Sequence, residues 1–202
     1  MAVTTAAFLG ALFVIPLFFQ LGLGLTALQS GLDTVPEALG VMLGAQLGSR
    51  VLYRRLGPRR LILLGLTGTA GSLAPMALID SRADLVWMRL LMLGMGIAMG
   101  QVMVSTQAAT FATSSPADTG HASSLFSLTR QLGSAAGIAL LTTVFTAIGT
   151  TRQVADRPSM PNLTAYRAAF LVAALLAVLA VLPALTVQDA DAAGAVPTHS
   201  AE

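Results

Sequence analysis

Apolar residues along this chain fall in six blocks of about 20, each bounded by a short cluster of Arg, Asp, Pro or Gly. A helix needs about 20 residues to cross about 30 Å of hydrocarbon, so each block predicts a transmembrane span. The spans are placed at roughly 4–24, 34–52, 61–80, 85–107, 124–149 and 166–187. A β-barrel would need segments of about 10 residues alternating apolar and polar, whereas Leu171 to Leu182 is apolar at nearly every position. The expected fold class is therefore an all-α integral membrane protein, a bundle of six transmembrane helices. Pro16, Pro36, Pro75 and Pro183 lie inside spans, where membrane helices tolerate proline and use it for kinks. The first block follows Met1 with no basic run before it and no cleavage site leading into a polar domain, so it reads as a first helix rather than a signal peptide. Thr110 to Ser123 and Thr150 to Ala165 predict solvent-exposed loops, and the polar, Ala-rich segment 188–202 predicts a disordered tail.

Composition agrees with a lipid solvent. Hydrophobic residues make up 55% of the 202 and charged residues 10%, too little polar surface to coat a water-soluble globule of this size. Cysteine is absent, which excludes disulfide frameworks and thiolate metal sites. The net charge of +2 comes from Arg alone, since there is no Lys. Arg50, Arg54, Arg55, Arg59 and Arg60 share the connection between the second and third spans, and the positive-inside rule assigns that connection to the cytoplasm. Both termini then lie in the cytoplasm, with Gln29, Ser81 and 150–165 outside; Arg82, Arg152 and Arg157 are exceptions to the rule. Enzyme chemistry has little support: there is no Gly-x-Ser-x-Gly elbow and no His-Glu-x-x-His, and His121 and His199 fall in a connection and the tail. No cofactor is implied, and topology alone explains the Arg cluster, so nucleic-acid binding is not expected.

Polar groups inside spans are the candidate site residues, because burying them in hydrocarbon is expensive unless they face a cavity or a partner. Glu37 is the acidic residue placed within a span; it either exchanges a proton during transport or caps or lines the helix entrance in interfacial water, beside a helix start at Asp33 and Thr34. Arg130 and Gln131 either line a cavity or, for Arg130, snorkel to cytoplasmic headgroups. Gln20, Gln46 and Gln101 can bind a substrate or bridge helices, and Arg89 is expected to snorkel outward. Met88, Met92, Met95, Met99 and Met103 offer either an adaptable apolar binding surface or ordinary packing. Gly40, Gly44 and Gly48, Gly96 and Gly100, and Gly133 and Gly137 form stripes that let helix backbones approach, for static packing or for sliding.

Three segments carry a resemblance across nearly the whole chain. The first is Pro16-Leu17-Phe18-Phe19-Gln20 with Leu28-Gln29-Ser30-Gly31-Leu32 and Val35-Pro36; the second is Arg54-Arg55-Leu56-Gly57-Pro58-Arg59-Arg60; the third runs from Arg130-Gln131-Leu132-Gly133 to Ile138-Ala139. Their order and spacing resemble the C-terminal half of the 14-helix drug:proton antiporters of the major facilitator superfamily, with Arg54, Arg55, Gly57, Arg59 and Arg60 in the place of the basic cytoplasmic loop. Arg50 and Arg54 stand where that loop often has Gly and Asp, a departure that touches its gating role. The resemblance implies multidrug efflux in a bacterial plasma membrane by alternating access, with protons and lipophilic small molecules as partners. It also implies a second bundle, either a missing N-terminal half or a homodimer partner. A truncated fragment and a structural or regulatory membrane subunit remain as alternatives.

Overall fold

The computed structural model describes residues 2–112, 119–149, 151–152 and 160–185. Its helices begin and end where local chemistry dictates. α1 (Ala2–Leu17) widens into a π-helical turn over Phe18–Gly22, directly after Pro16 removes the N–H that would bond the carbonyl four residues back. Gly24, at φ 66°, then reverses the chain in a conformation that side-chain-bearing residues rarely adopt. α2 (Ala27–Leu47) opens on a capping box: the Gln29 N–H donates to Thr26 Oγ1 at 3.2 Å and the Thr26 N–H donates to Gln29 Oε1 at 3.0 Å. It ends in a second π-helical turn, Gly48–Leu52.

α3 (Tyr53–Met76) is broken at Gly57, whose φ of 75° and ψ of 165° are non-helical; Pro58 then serves as a first helical residue, needing no N–H partner. The basic connection expected here is thus helical on both sides of one kink. A single 3-10 turn, Arg82–Asp84, leads into α4 (Leu85–Ala112), and α5 spans Thr119–Ile148. Much of the loop expected over 110–123 is therefore helix, with residues 113–118 outside the described set. Where 150–165 was expected to be loop, β1 (Thr151–Arg152) pairs antiparallel with β2 (Met160–Pro161), and α6 (Leu163–Leu179) has already begun; the short α7 (Val181–Ala184) follows. The expected disordered tail lies outside the described residues.

Among the described residues, four helical stretches are long and apolar enough to cross a membrane: Ala2–Gly22, Arg82–Ala108, Ser123–Ile148 and Leu163–Ala184. α2 falls short because Asp33, Glu37 and several amides and hydroxyls dilute it. α3 falls short because its Arg-rich start belongs to the helix. Buried hydroxyls on these helices are satisfied locally, as Thr69, Ser72 and Ser105 each donate to the carbonyl four residues back at 2.9–3.0 Å.

The six long helices among the described residues pack in matched pairs. α2 lies along α4 and α1 along α5, while α3 rests on α4 and α6, and α1 on α6. Exchanging the first three helices with the last three maps α1–α5 onto α4–α2 and α3–α4 onto α6–α1, so the bundle is a three-helix unit repeated with inverted direction. Both close pairs are parallel and built on glycine. A Cβ on Gly44 would stand 2.7 Å from the Ile97 carbonyl carbon, one on Gly100 2.8 Å from the Ala45 nitrogen, and one on Gly137 2.6 Å from the Ala6 Cα. Those distances are far inside van der Waals contact, so the backbones touch.

The core lies between these pairs. Met88, Met92, Met95 and Met99 are buried within it, which gives the methionine stripe the packing role. Phe18, Phe145, Tyr166 and Phe170 close one end, with ring centroids 5.2–5.7 Å apart.

Replacing Gly44 or Gly100 by Leu should force α2 off α4 and destabilise the bundle by about 3 kcal/mol or more, beyond ordinary overpacking. Gly71, with nothing within 4 Å of a built Cβ, should accept Ala with a change of under about 0.5 kcal/mol. Thermal unfolding in detergent checks both, and equal losses at the two sites would contradict this packing.

Candidate functional site

The buried face of α2 reads Ser30, Asp33, Glu37, Gly40 and Gly44, one residue per turn against α4. It is polar toward Thr26 and glycine toward the Arg-rich end. Asp33 is 5% exposed; its Oδ1 accepts from Arg89 Nε at 2.8 Å and lies 2.6 Å from Nη2 in an ion pair. The Arg89 side chain is half exposed, so the desolvation cost of this pair falls mainly on the carboxylate. Arg89 thus does not simply snorkel outward: it turns inward to meet a buried acid on the neighbouring helix.

Glu37 lies one turn deeper than Asp33 and is 9% exposed. Among the described residues its side chain makes no hydrogen bond and no ion pair. The expectation that Asp33 and Thr34 mark a helix start is corrected by the Thr26–Gln29 capping box, which places Glu37 ten residues past Ala27. Glu37 is therefore no entrance cap. Its turn of α2 meets Gly96, whose added Cβ would stand 2.9 Å from the Val41 nitrogen and 3.1 Å from the Glu37 carbonyl carbon.

The remaining candidates do not converge on it. Gln101 is half-buried against Gly48, at the far end of the same seam, where a Cβ on Gly48 would lie 3.5 Å from the Gln101 Cα. Gln20 is exposed on the π-helical turn after α1, and Gln46 is exposed on α2. Arg130 and Gln131 are exposed on α5, and Arg130 has no ion pair among the described residues. In the basic segment, Arg55 and Arg60 are exposed and Arg59 is half-buried around the Gly57 kink; nothing is described for the Arg54 side chain.

Two contacts escaped the sequence reading. Arg82 Nε donates to the Leu23 carbonyl at 2.9 Å and its Nη2 to the Gly24 carbonyl at 2.5 Å, tying the turn before α4 to the turn before α2. Arg167 on α6 pairs with Asp80, its Nε donating to Oδ1 at 3.1 Å. With Arg89, these lie at the end of the bundle opposite Arg50–Arg60. The available signal was an arginine within about a turn of the α4 and α6 starts, with an acid from a neighbouring segment facing Arg89 and Arg167.

A family model described as Major Facilitator Superfamily matches residues 1–138. The chain belongs to the major facilitator superfamily. It is a multi-pass membrane protein of a transporter family. Among similar proteins, a multidrug resistance protein B homolog of Mycobacterium tuberculosis is 27% identical over 220 residues, covering 91% of this chain and 40% of its own length. The tetracycline resistance determinant of Streptomyces rimosus is 28% identical over 141 residues, 69% of this chain and 40% of that one. A puromycin resistance protein of Streptomyces alboniger is 28% identical over 138 residues, 67% and 27% respectively. The chain thus spans well under half the length of these major facilitator relatives.

Arg89→Ala leaves Asp33 buried without its cation, at an expected cost of about 1–3 kcal/mol once the half-exposed guanidinium is allowed for. Adding Asp33→Asn should recover part of it. A double-mutant cycle read by thermal unfolding checks this, and strictly additive losses would mean that the two groups do not interact.

Proposed function

We propose that this chain forms the C-terminal six-helix half of a proton-coupled multidrug efflux transporter in a bacterial plasma membrane. In this reading α2 and α3 complete a set of six spans, Arg50–Arg60 face the cytoplasm with both termini, and the exposed apolar faces of α2 and α5 are closed by a second bundle. The exposed Leu32, Leu39 and Leu43 of α2 and Leu125, Leu128 and Leu132 of α5 support such a closing surface. The resistance names of the relatives support lipophilic small molecules as cargo.

The observation that carries the reading is Glu37: a carboxyl group held on the α2–α4 seam with no ionic or hydrogen-bond partner among the described residues, beside a helix contact built from small residues. Such a group can accept and release a proton as the seam admits or excludes water, and a proton exchanged against a substrate is the elementary step of an antiporter. Gln101, Gln20, Arg130 and Gln131 then act as hydrogen-bonding groups at the margins of the translocation path, and Asp33–Arg89 holds α2 and α4 in the register that keeps Glu37 on the seam.

Transport is tested by substituting this chain for the aligned 220-residue segment of the M. tuberculosis relative and following efflux of a fluorescent lipophilic cation from proteoliposomes under an imposed proton gradient. Gradient-driven efflux is expected, falling about a hundredfold or more in Glu37→Gln, the loss typical of removing a proton-transfer group. Undiminished efflux in Glu37→Gln ends its role as proton carrier, and no efflux from a well-inserted chimera ends the transport reading in favour of a structural or regulatory subunit.

The six-span topology has its own test, made easy by the absence of cysteine. Arg55→Cys should react with a membrane-impermeant maleimide from the cytoplasmic side alone and Ser81→Cys from the outside alone. Labelling of both from one side would sink it.

A further inference from the structure

The outer surface of α3 and α6 holds a groove of about 470 Å³ that the transport reading does not use. Its walls are Ala74, Pro75 and Leu78 from α3 and the turn after it, and Leu171 from α6; Asp80 and Arg167 stand at its mouth. The two charged side chains are paired with each other, yet each is nearly half exposed. One positive and one negative group are therefore offered side by side above an apolar trough.

The trough continues along the bundle. On α3 the exposed face runs Leu78, Ala74, Gly71, Thr67, Leu64, and Gly71 has open space where a side chain would be. On α6 the exposed Leu171, Leu175 and Leu182 form the facing rim. Half of a hydrocarbon core is about 15 Å, or about ten residues of helix, which reaches from Leu78 past Gly71. This strip is thus long enough for an acyl chain of one leaflet, with Asp80 and Arg167 at headgroup depth.

We propose that this groove binds a phospholipid with a primary ammonium headgroup, the phosphate on Arg167, the ammonium on Asp80 and an acyl chain along Ala74 and Gly71. An anionic headgroup satisfies Arg167 alone and meets the Asp80 charge. A choline headgroup carries the right charges but no N–H to donate to Asp80. Phosphatidylethanolamine supplies both partners: three N–H donors for the carboxylate and phosphate oxygens for the planar guanidinium fork. The lipid exchanges the direct Asp80–Arg167 pair for two charge-assisted contacts and covers apolar wall at the same time.

The inference rests on the six-span arrangement, which puts α3 in the bilayer. Its test is native mass spectrometry of the full chain in detergent with phosphatidylethanolamine, phosphatidylcholine and phosphatidylglycerol of identical acyl chains. Retention of the ethanolamine lipid about tenfold over the other two is expected, the worth of one charge-assisted hydrogen bond. Asp80→Asn with Arg167→Gln, both at exposed positions, should abolish that preference while total lipid retention persists. Ala74→Phe should fill the trough and lower retention of all three. Equal retention by the unaltered chain, or a preference that survives the double substitution, overturns the site. In parallel, Ala74→Cys in phosphatidylethanolamine vesicles reports on the span itself: shielding from an impermeant maleimide together with equal lipid retention sinks the lipid site alone, whereas free labelling sinks the six-span arrangement.

Discussion

The backbone contact between α2 and α4 is the constraint on which the other features of this bundle depend. Between membrane helices there is no hydrophobic driving force, because lipid tails are as apolar as leucine, so association comes from close packing and from polar contacts across the seam. Gly40, Gly44, Gly96 and Gly100 let the two helices meet with no side chain between them. That contact fixes their axial register. It brings Asp33 level with Arg89 and sets Glu37 one turn below, opposite the first glycine pair. The α1–α5 seam repeats the device with Ala2 and Ala6 against Gly133 and Gly137, so the same physical solution appears once in each half of the inverted repeat.

The two ends of the bundle are built differently. At one end arginines bind inward: Arg82 occupies the carbonyls left open where the first helix stops, Arg89 meets Asp33, and Arg167 meets Asp80. Helix termini leave carbonyls without intrahelical donors, and a guanidinium in an interfacial turn is well suited to take them. At the other end Arg55 and Arg60 are exposed around the Gly57 kink, and Arg130 is exposed about three turns into α5. Charge at that end is presented outward. One end is fastened by side chains and the other is available to headgroups or to a second bundle.

Much of the helical architecture was legible in the sequence because apolar blocks of membrane length have few other solutions, and the glycine spacings announced where backbones would meet. The registry between helices was not legible. Arg82 was read as an exception to the positive-inside rule and Arg89 as a side chain snorkelling outward, since neither a charge count nor a depth in the span says whether an arginine turns inward to a carbonyl or an acid. The start of α2 was misplaced because Asp33-Thr34 and Thr26-x-x-Gln29 both look like caps, and only the second has its reciprocal partner three residues on. The basic segment was read as a loop because Arg and Pro outweighed its helical continuation, whereas a single Gly at positive φ supplies all the bend required. α2 and α3 lack the apolar length of the other four helices for a related reason: the groups that dilute them are the ones that make contacts.

Asp33 and Glu37 occupy successive turns of one helix face, but a single guanidinium faces them. Arg89 donates from Nε to one oxygen of Asp33 and holds Nη2 in ion-pair contact with the same oxygen, and a carboxylate already so engaged keeps its cation at a fixed height. Glu37 is left to a seam lined by glycine, where no donor is within reach among the described residues. A neutral acid can rest there, whereas a carboxylate requires water or a cation to offset its burial. On the proposed reading this is the link between chemistry and motion: the charge state of Glu37 biases how closely the α2 and α4 backbones meet.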